Sequence, residues 1–230
     1  MNIYAYICTR SIEDMTETTD KLLSYFAKCE IQSFLLPKAS SIFIAYQHAY
    51  LTTAPKEDDI IIMCHDDIEI REKPEIFKSK LIKLLSEDKI GFVGPAGTSL
   101  LGRDAVWWNQ QHWAMKKHHG RVYHLDPQGK EYETYYGKPS EVVVLDGLFL
   151  ATTGKVIESV SLTKPPYFSG EWDFYDLHYT SSAFLQGYKN KIIDINILHN
   201  SRGELVGRDS WHKNRDSFIR HTKLPLSVEK

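Results

Sequence analysis

The sequence predicts an α/β protein with a mostly parallel central sheet flanked by helices. Three observations carry that expectation: short apolar runs recur along the first half, segments of helical period alternate with them, and one run, Asp59 to Met63, ends abruptly in acids. Ile3 to Cys8 reads as the first strand, Glu13 to Cys29 as a helix, Ile31 to Leu36 as a strand and Ser41 to Thr52 as a helix. After the Asp59–Met63 strand comes a helix from Pro74 to Leu85, whose proline suits a first helical turn, and then a strand at Ile90 to Gly94. From Pro95 to Ser140 the periodicity fails, and the segment reads as a long irregular insertion rich in Gly, Trp, His and Tyr. Glu141 to Ala151 resumes strand character, broken at Asp146-Gly147. A helix from about Trp172 to Leu185 stops before Gly187, which suits a C-cap, and Lys191 to Leu198 reads as the last core strand. The polar tail beyond Gly207 carries a short helix near Arg208 to Arg220. Residues 1–207 are expected to form one domain and 208–230 a helical tail.

The chain has 230 residues, enough for one well-buried core, and its 28 basic and 30 acidic residues leave a formal charge of -2. There is no global field to recruit nucleic acid or an anionic membrane, so any polyanion binding is local. Cys8, Cys29 and Cys64 are odd in number and widely spaced, which suits a reducing cytoplasm. The N-terminus lacks a basic leader and a cleavage site, and no apolar stretch reaches the length of a membrane span. A cytoplasmic protein is expected, with peripheral membrane association through a patch left open.

The chemistry concentrates where strands end. Asp59 to Glu69 delivers His65, Asp66 and Asp67 to the C-terminal edge of a buried strand, the edge at which such sheets bind ligands. Carboxylates and an imidazole crowded there are costly unless a cation neutralises them, and hard divalent ions prefer oxygen ligands. His199 also follows an apolar strand, so it can converge with Asp67 on a Mn²⁺ or Mg²⁺ site completed by a substrate pyrophosphate. Glu171, Asp173 and Asp176 lie at the start of a helix, where acids complement the helix dipole. Asp173 and Asp176 share a face, so one of them can serve as a general base. Four histidines between His112 and His124 match no zinc spacing and have no cysteine nearby. Lys116 to Arg121 reads as a solvated basic loop. Trp107, Trp108 and Trp113 are candidates for a stacking platform for a sugar or base, or for anchors of the loop. No P-loop, dinucleotide-binding glycine motif or Gly-x-Ser-x-Gly elbow is present.

The order of motifs resembles GT-A glycosyltransferases, in the family 2 branch related to the streptomycin-biosynthesis glycosyltransferase-like domain. The motifs are His65-Asp66-Asp67, Gly91 to Thr98, Val144 to Ala151, Phe174 to His178 with Gly187-Tyr188-Lys189, and Ile197 to Gly203. The resemblance implies a GT-A (Rossmann-like) fold and a nucleotide-sugar donor whose diphosphate is held by a divalent cation, with Asp67 and His199, alongside His65, as ligands. It places Thr9, Arg10, Phe43, Tyr46 and Asp66 near the donor, and Trp107, Trp108, Asp146 and Gly147 on the acceptor side. Asp176 takes the place of the base that deprotonates the acceptor hydroxyl in inverting relatives. The chain departs from the pattern with Tyr175 where Glu is usual and His178 where Asp is common, so Glu171 and Asp173 stay in contention. The acceptor is a glycan, a small molecule or a modified nucleic acid, and the Trp-rich segment leaves room for an oligomer. Two other readings stand beside this one: a non-catalytic GT-A-like module that binds carbohydrate or nucleic acid, and a nucleotidyltransferase.

Overall fold

A computed structural model describes residues 1–9, 15–126, 128–200 and 209–229. In chain order the elements are β1 (Ile3–Thr9), α1 (Glu17–Lys28), β2 (Gln32–Pro37), α2 (Ile42–Thr53), β3 (Ile60–His65), β4 (Ile68–Ile70), α3 (Pro74–Leu85), β5 (Ile90–Gly94), β6 (Ala96–Thr98) and β7 (Leu100–Leu101). They continue with α4 (Gln110–Ala114), β8 (His118–Leu125), β9 (Glu131–Gly137), β10 (Glu141–Val142), β11 (Val144–Leu145), β12 (Phe149–Thr153) and α5 (Gly154–Val160). Last come α6 (Tyr175–Leu185), β13 (Lys189–Ile192), β14 (Ile197–His199), α7 (Asp209–His221) and β15 (Leu226–Ser227).

The main sheet has seven strands in the order β10-β13-β5-β12-β3-β1-β2. The β2–β1, β1–β3 and β5–β13 pairs are parallel; the pairs made by β12 and β10 are antiparallel, so the sheet is partly parallel. Helices cover both faces, which is why β3 reads as a continuous apolar run and is buried from Ile60 to Cys64. On one face Phe26 of α1 and Phe77 of α3 pack toward Phe149 of β12, and on the other Phe43 of α2 meets Tyr175 and Tyr179 of α6. Local chemistry sets the helix starts: the Thr16 hydroxyl accepts from the Thr19 amide at α1, Ser41 caps α2, and Pro74 occupies the first turn of α3. Gly187, with φ +87°, follows α6 in the left-handed conformation expected of a C-cap.

The segment from Pro95 to Ser140 is not irregular. It supplies three of the six strands of a second sheet, β6, β8 and β9; the order is β11-β6-β8-β14-β4, with β9 paired to β8. The expected Lys191–Leu198 strand divides between the two sheets, β13 joining the first and β14 the second. The C-terminal helix, α7, is part of the core, with Trp211 and Phe218 buried.

Buried Asn190 ties these layers together. Its Oδ1 accepts from the Phe92 amide at 3.0 Å, while Nδ2 donates to Val143 O at 2.8 Å and Thr180 O at 2.7 Å. Asn190→Ala removes these three buried hydrogen bonds, and a loss of about 3 kcal/mol is expected. Thermal denaturation should register this as a fall in Tm of roughly 6–12 °C.

Candidate active site at the junction of the two sheets

The turn between β3 and β4 is where the chain leaves one sheet for the other, and it carries Asp66 and Asp67. β14 lies antiparallel to β4 with His199 opposite Ile68, and the Asn200 amide donates to Asp67 O at 2.8 Å. The ends of β3 and β14 are thereby fixed side by side. His65 Nδ1 lies 3.4 Å from His199 Nε2 and 3.8 Å from Asp67 Oδ1, and His199 Nε2 is 3.3 Å from the same carboxylate oxygen. These three residues form the one group of three or more candidate metal ligands among the described residues.

The donor set fits a cation. Ligand atoms about 2.1–2.2 Å from a metal are about 3.0–3.6 Å apart when they share a face of an octahedral or tetrahedral shell, close to the spacing here. Asp67 Oδ1 is buried and forms no well-aligned hydrogen bond, its nearest cationic neighbour being His199 Nε2 at 3.3 Å, a costly arrangement that a cation relieves. Burial and the neighbouring His199 hold the His65 imidazole below its usual pKa. Burial opposes charge on His199 and Asp67 too, but their pairing outweighs it: His199 is held above, and Asp67 below, the ordinary value.

The loop between β11 and β12 and the first turn of α6 face this cluster. Phe174, left-handed at φ +68° and buried, precedes α6; its ring packs on Trp211 and Phe218 of α7. This turn delivers Tyr175 and Asp176. The Tyr175 hydroxyl donates to Gly147 O at 2.8 Å and lies 3.1 Å from His65 Nε2, while Asp176 Oδ2 accepts from the Gly147 amide at 3.0 Å. Burial, reinforced by the Asp146 carboxylate, pushes the Asp176 carboxyl up to about 7. A carboxyl of that pKa can both accept and return a proton near neutral pH.

The other acids are engaged elsewhere. Asp173 is buried and accepts from the Ser210 hydroxyl of α7 at 2.7 Å, so it anchors that helix, and Glu171 is paired with Lys164. Phe43 and Tyr46 correct the expectation of donor contact: both are buried on the inward side of α2, beneath Tyr175. Trp107 is also buried, its carbonyl bonded to His118 Nε2 at 2.6 Å, and it cannot act as a stacking platform. Trp108 is half-buried against Trp211, whereas Trp113 is 41% exposed and lies beside Tyr136. Thr9 ends β1 next to the β3 terminus, since Cys8 pairs in register with His65. Arg10 lies outside the described residues.

Two residues near the site were not legible in advance. His124 of β8 pairs in register with His199 of β14, with ring centroids 6.2 Å apart, and Tyr136 of β9 is held above its usual pKa by burial and by Asp146. Both come from strands whose sequence shows no clear strand period.

A family model described as "Glycosyltransferase like family" matches residues 7–221. The streptomycin biosynthesis protein StrF of Streptomyces griseus is 29% identical over 140 residues, covering 58% of this chain and 44% of StrF. The chain thus spans less than half the length of that curated relative. Among solved structures, GalNAc-T7 with UDP, GalNAc and Mn²⁺ superposes with a TM-score of 0.51 at 10% identity, over 92% of this chain and 45% of that one. A glycosyltransferase involved in glycosylation of the major capsid of PBCV-1 gives a TM-score of 0.46 at 10% identity, over 96% and 100% of the two chains. At 10% identity the likeness to GalNAc-T7 speaks for the fold alone.

Proposed function

We propose, from the premise that this chain belongs to the glycosyltransferase-like family, that it moves a sugar from a nucleotide-sugar donor to an acceptor hydroxyl in a metal-dependent, inverting reaction. The observation that carries this reading is the shared use of one loop residue: Gly147 is bonded through its carbonyl to Tyr175, which touches the candidate ligand His65, and through its amide to the candidate base Asp176. A cation site and a base are thus built against each other.

In this reading His65, Asp67 and His199 hold the cation. Two imidazoles and one carboxylate favour Mn²⁺ over Mg²⁺, which prefers an all-oxygen shell. When bound, the ion neutralises the charge that accumulates on the departing diphosphate. Thr9 and Asp66 flank the donor. Asp176 takes the proton of the acceptor hydroxyl as the new bond forms; attack opposite the leaving group inverts the anomeric centre with no covalent intermediate. Burial keeps Asp176 basic, and Asp146 adds to this by opposing a second negative charge beside it. The acceptor, a glycan, a small molecule or a modified nucleic acid, approaches over Asp146 and Gly147. On that side exposed Trp113, with Tyr136 and Trp108, replaces buried Trp107 as the stacking surface.

No helix among the described residues is long and apolar enough to cross a membrane. Three free cysteines suit the reducing cytoplasm.

The test is a thermal-shift screen of UDP-, GDP-, CMP- and dTDP-sugars with and without Mn²⁺. A Mn²⁺-dependent rise in Tm with one nucleotide class is expected, because ligand bound at about 100 Kd stabilises by about 2.7 kcal/mol. No rise with any of them would favour a carbohydrate-binding module, for which exposed Trp113 is the observation.

A further inference from the structure

We propose that Tyr175 is a positioning residue for the cation site: its hydroxyl, anchored on the Gly147 carbonyl, holds His65 in the tautomer that presents a bare Nδ1 to Asp67 and His199. The inference rests on the reading of His65, Asp67 and His199 as cation ligands.

Proton counting fixes the tautomer. A tyrosine hydroxyl has a single proton and a carbonyl oxygen has none, so the 2.8 Å bond from Tyr175 Oη to Gly147 O runs in one direction only. His65 Nε2 lies 3.1 Å from the same hydroxyl oxygen. With the hydroxyl proton already committed, Nε2 must be the donor in that contact. A neutral imidazole carries one N–H, so His65 Nδ1 is left with its lone pair. It is Nδ1 that lies 3.4 Å from His199 Nε2 and 3.8 Å from Asp67 Oδ1. A ligating imidazole is oriented by the partner of its other nitrogen, and Tyr175 is that partner.

The surroundings hold the hydroxyl in place. The Tyr175 ring is buried, 6.5 Å from Phe43, 6.0 Å from Tyr46 and 6.2 Å from Tyr179 between centroids. A Cβ on Gly147 would lie 2.4 Å from Tyr175 Oη, so the bond forms only because that residue is glycine. An ionised carboxylate facing the Gly147 carbonyl would have no proton to give it, whereas the phenol does.

Tyr175→Phe keeps the ring and removes the hydroxyl. Isothermal titration with MnCl2 should show affinity about 10–100-fold weaker than wild type. In metal-free protein, ¹⁵N–¹H correlation spectra of the histidine rings should show His65 protonated on Nε2 in the wild type and shared between both nitrogens in the variant. Should Tyr175→Phe fail to fold, Gly147→Ala displaces the same hydroxyl and is expected to give the same two readouts. Equal Mn²⁺ affinity in variant and wild type, or a wild-type His65 protonated on Nδ1, overturns the inference while leaving the cation site standing. A wild type that binds no Mn²⁺ overturns the cation reading itself.

Discussion

Asp176→Asn is expected to lower sugar transfer by about 10²–10⁴-fold, the range associated with loss of a positioned general base, while Mn²⁺ affinity stays at the wild-type level. The amide keeps the shape of the carboxyl and can still accept from the Gly147 amide, so the loop should hold its position. The same substitution has a signature in stability. The folded-state value of Asp176, about 7 against an ordinary 3.8, means that the folded protein retains a proton the unfolded chain has released between those two values. Stability from this group is therefore complete below about pH 4 and is lost as the pH rises through about 7. Asp176→Asn removes that loss. The full shift corresponds to about 4 kcal/mol, but the side chain is only partly shielded from solvent, and about 2 kcal/mol is the expected gain after screening. Melting curves should show Asp176→Asn about 4–8 °C more stable than wild type at pH 8 and equal to it at pH 4. Transfer at the wild-type rate would move the base to another residue. An unchanged difference in Tm between the two pH values would mean that the carboxyl is not perturbed.

Asp67→Ala is expected to cost Mn²⁺ affinity at least about 100-fold, more than loss of an outer partner typically costs, because it removes the anionic member of a three-residue donor set. Asp67 is 33% exposed in its side chain and faces two imidazoles rather than the core. Its removal should leave the Tm of the metal-free protein within about 2 °C of wild type. The discriminating readout is the combination: a near-native melting curve whose Mn²⁺-dependent rise has disappeared. If Mn²⁺ still raised the Tm of Asp67→Ala by the wild-type amount, the ion would be held elsewhere.

His65 and His199 were legible as candidates because each closes a buried apolar strand, but the two strands lie in different sheets, and what brings them to Asp67 is the antiparallel pairing of β14 with β4 just after the β3–β4 turn. Helix α3 was equally plain, with Pro74 to start it and a single apolar face. The second sheet was hidden for a physical reason. β8 does alternate inward and outward, but its inward positions include His118 and Gly120 beside Val122, so the period-2 signal is not carried by aliphatic side chains. β9 is mostly exposed and has little apolar pattern to show. The Ile192–Ile197 stretch looked continuous because its isoleucines alternate with Asp194 and Asn196, yet the chain passes there from one sheet to the other. Resemblance points Phe43 and Tyr46 toward the donor, but they fall on the inward face of α2. The engagement of Asp173 by Ser210 depends on α7, far along the chain, and no local pattern encodes it. Tyr175 stood out in the sequence only as a departure from the family pattern; its contacts to His65 and Gly147 are what give it a role.

The most direct test of a cation site built from two sheet ends is a crystal of the protein grown with MnCl2 and measured at the manganese absorption edge. One strong anomalous peak is expected about 2.1–2.3 Å from His65 Nδ1, Asp67 Oδ1 and His199 Nε2. A peak bound by other residues, or none at a Mn²⁺ concentration that raises the Tm, would contradict it.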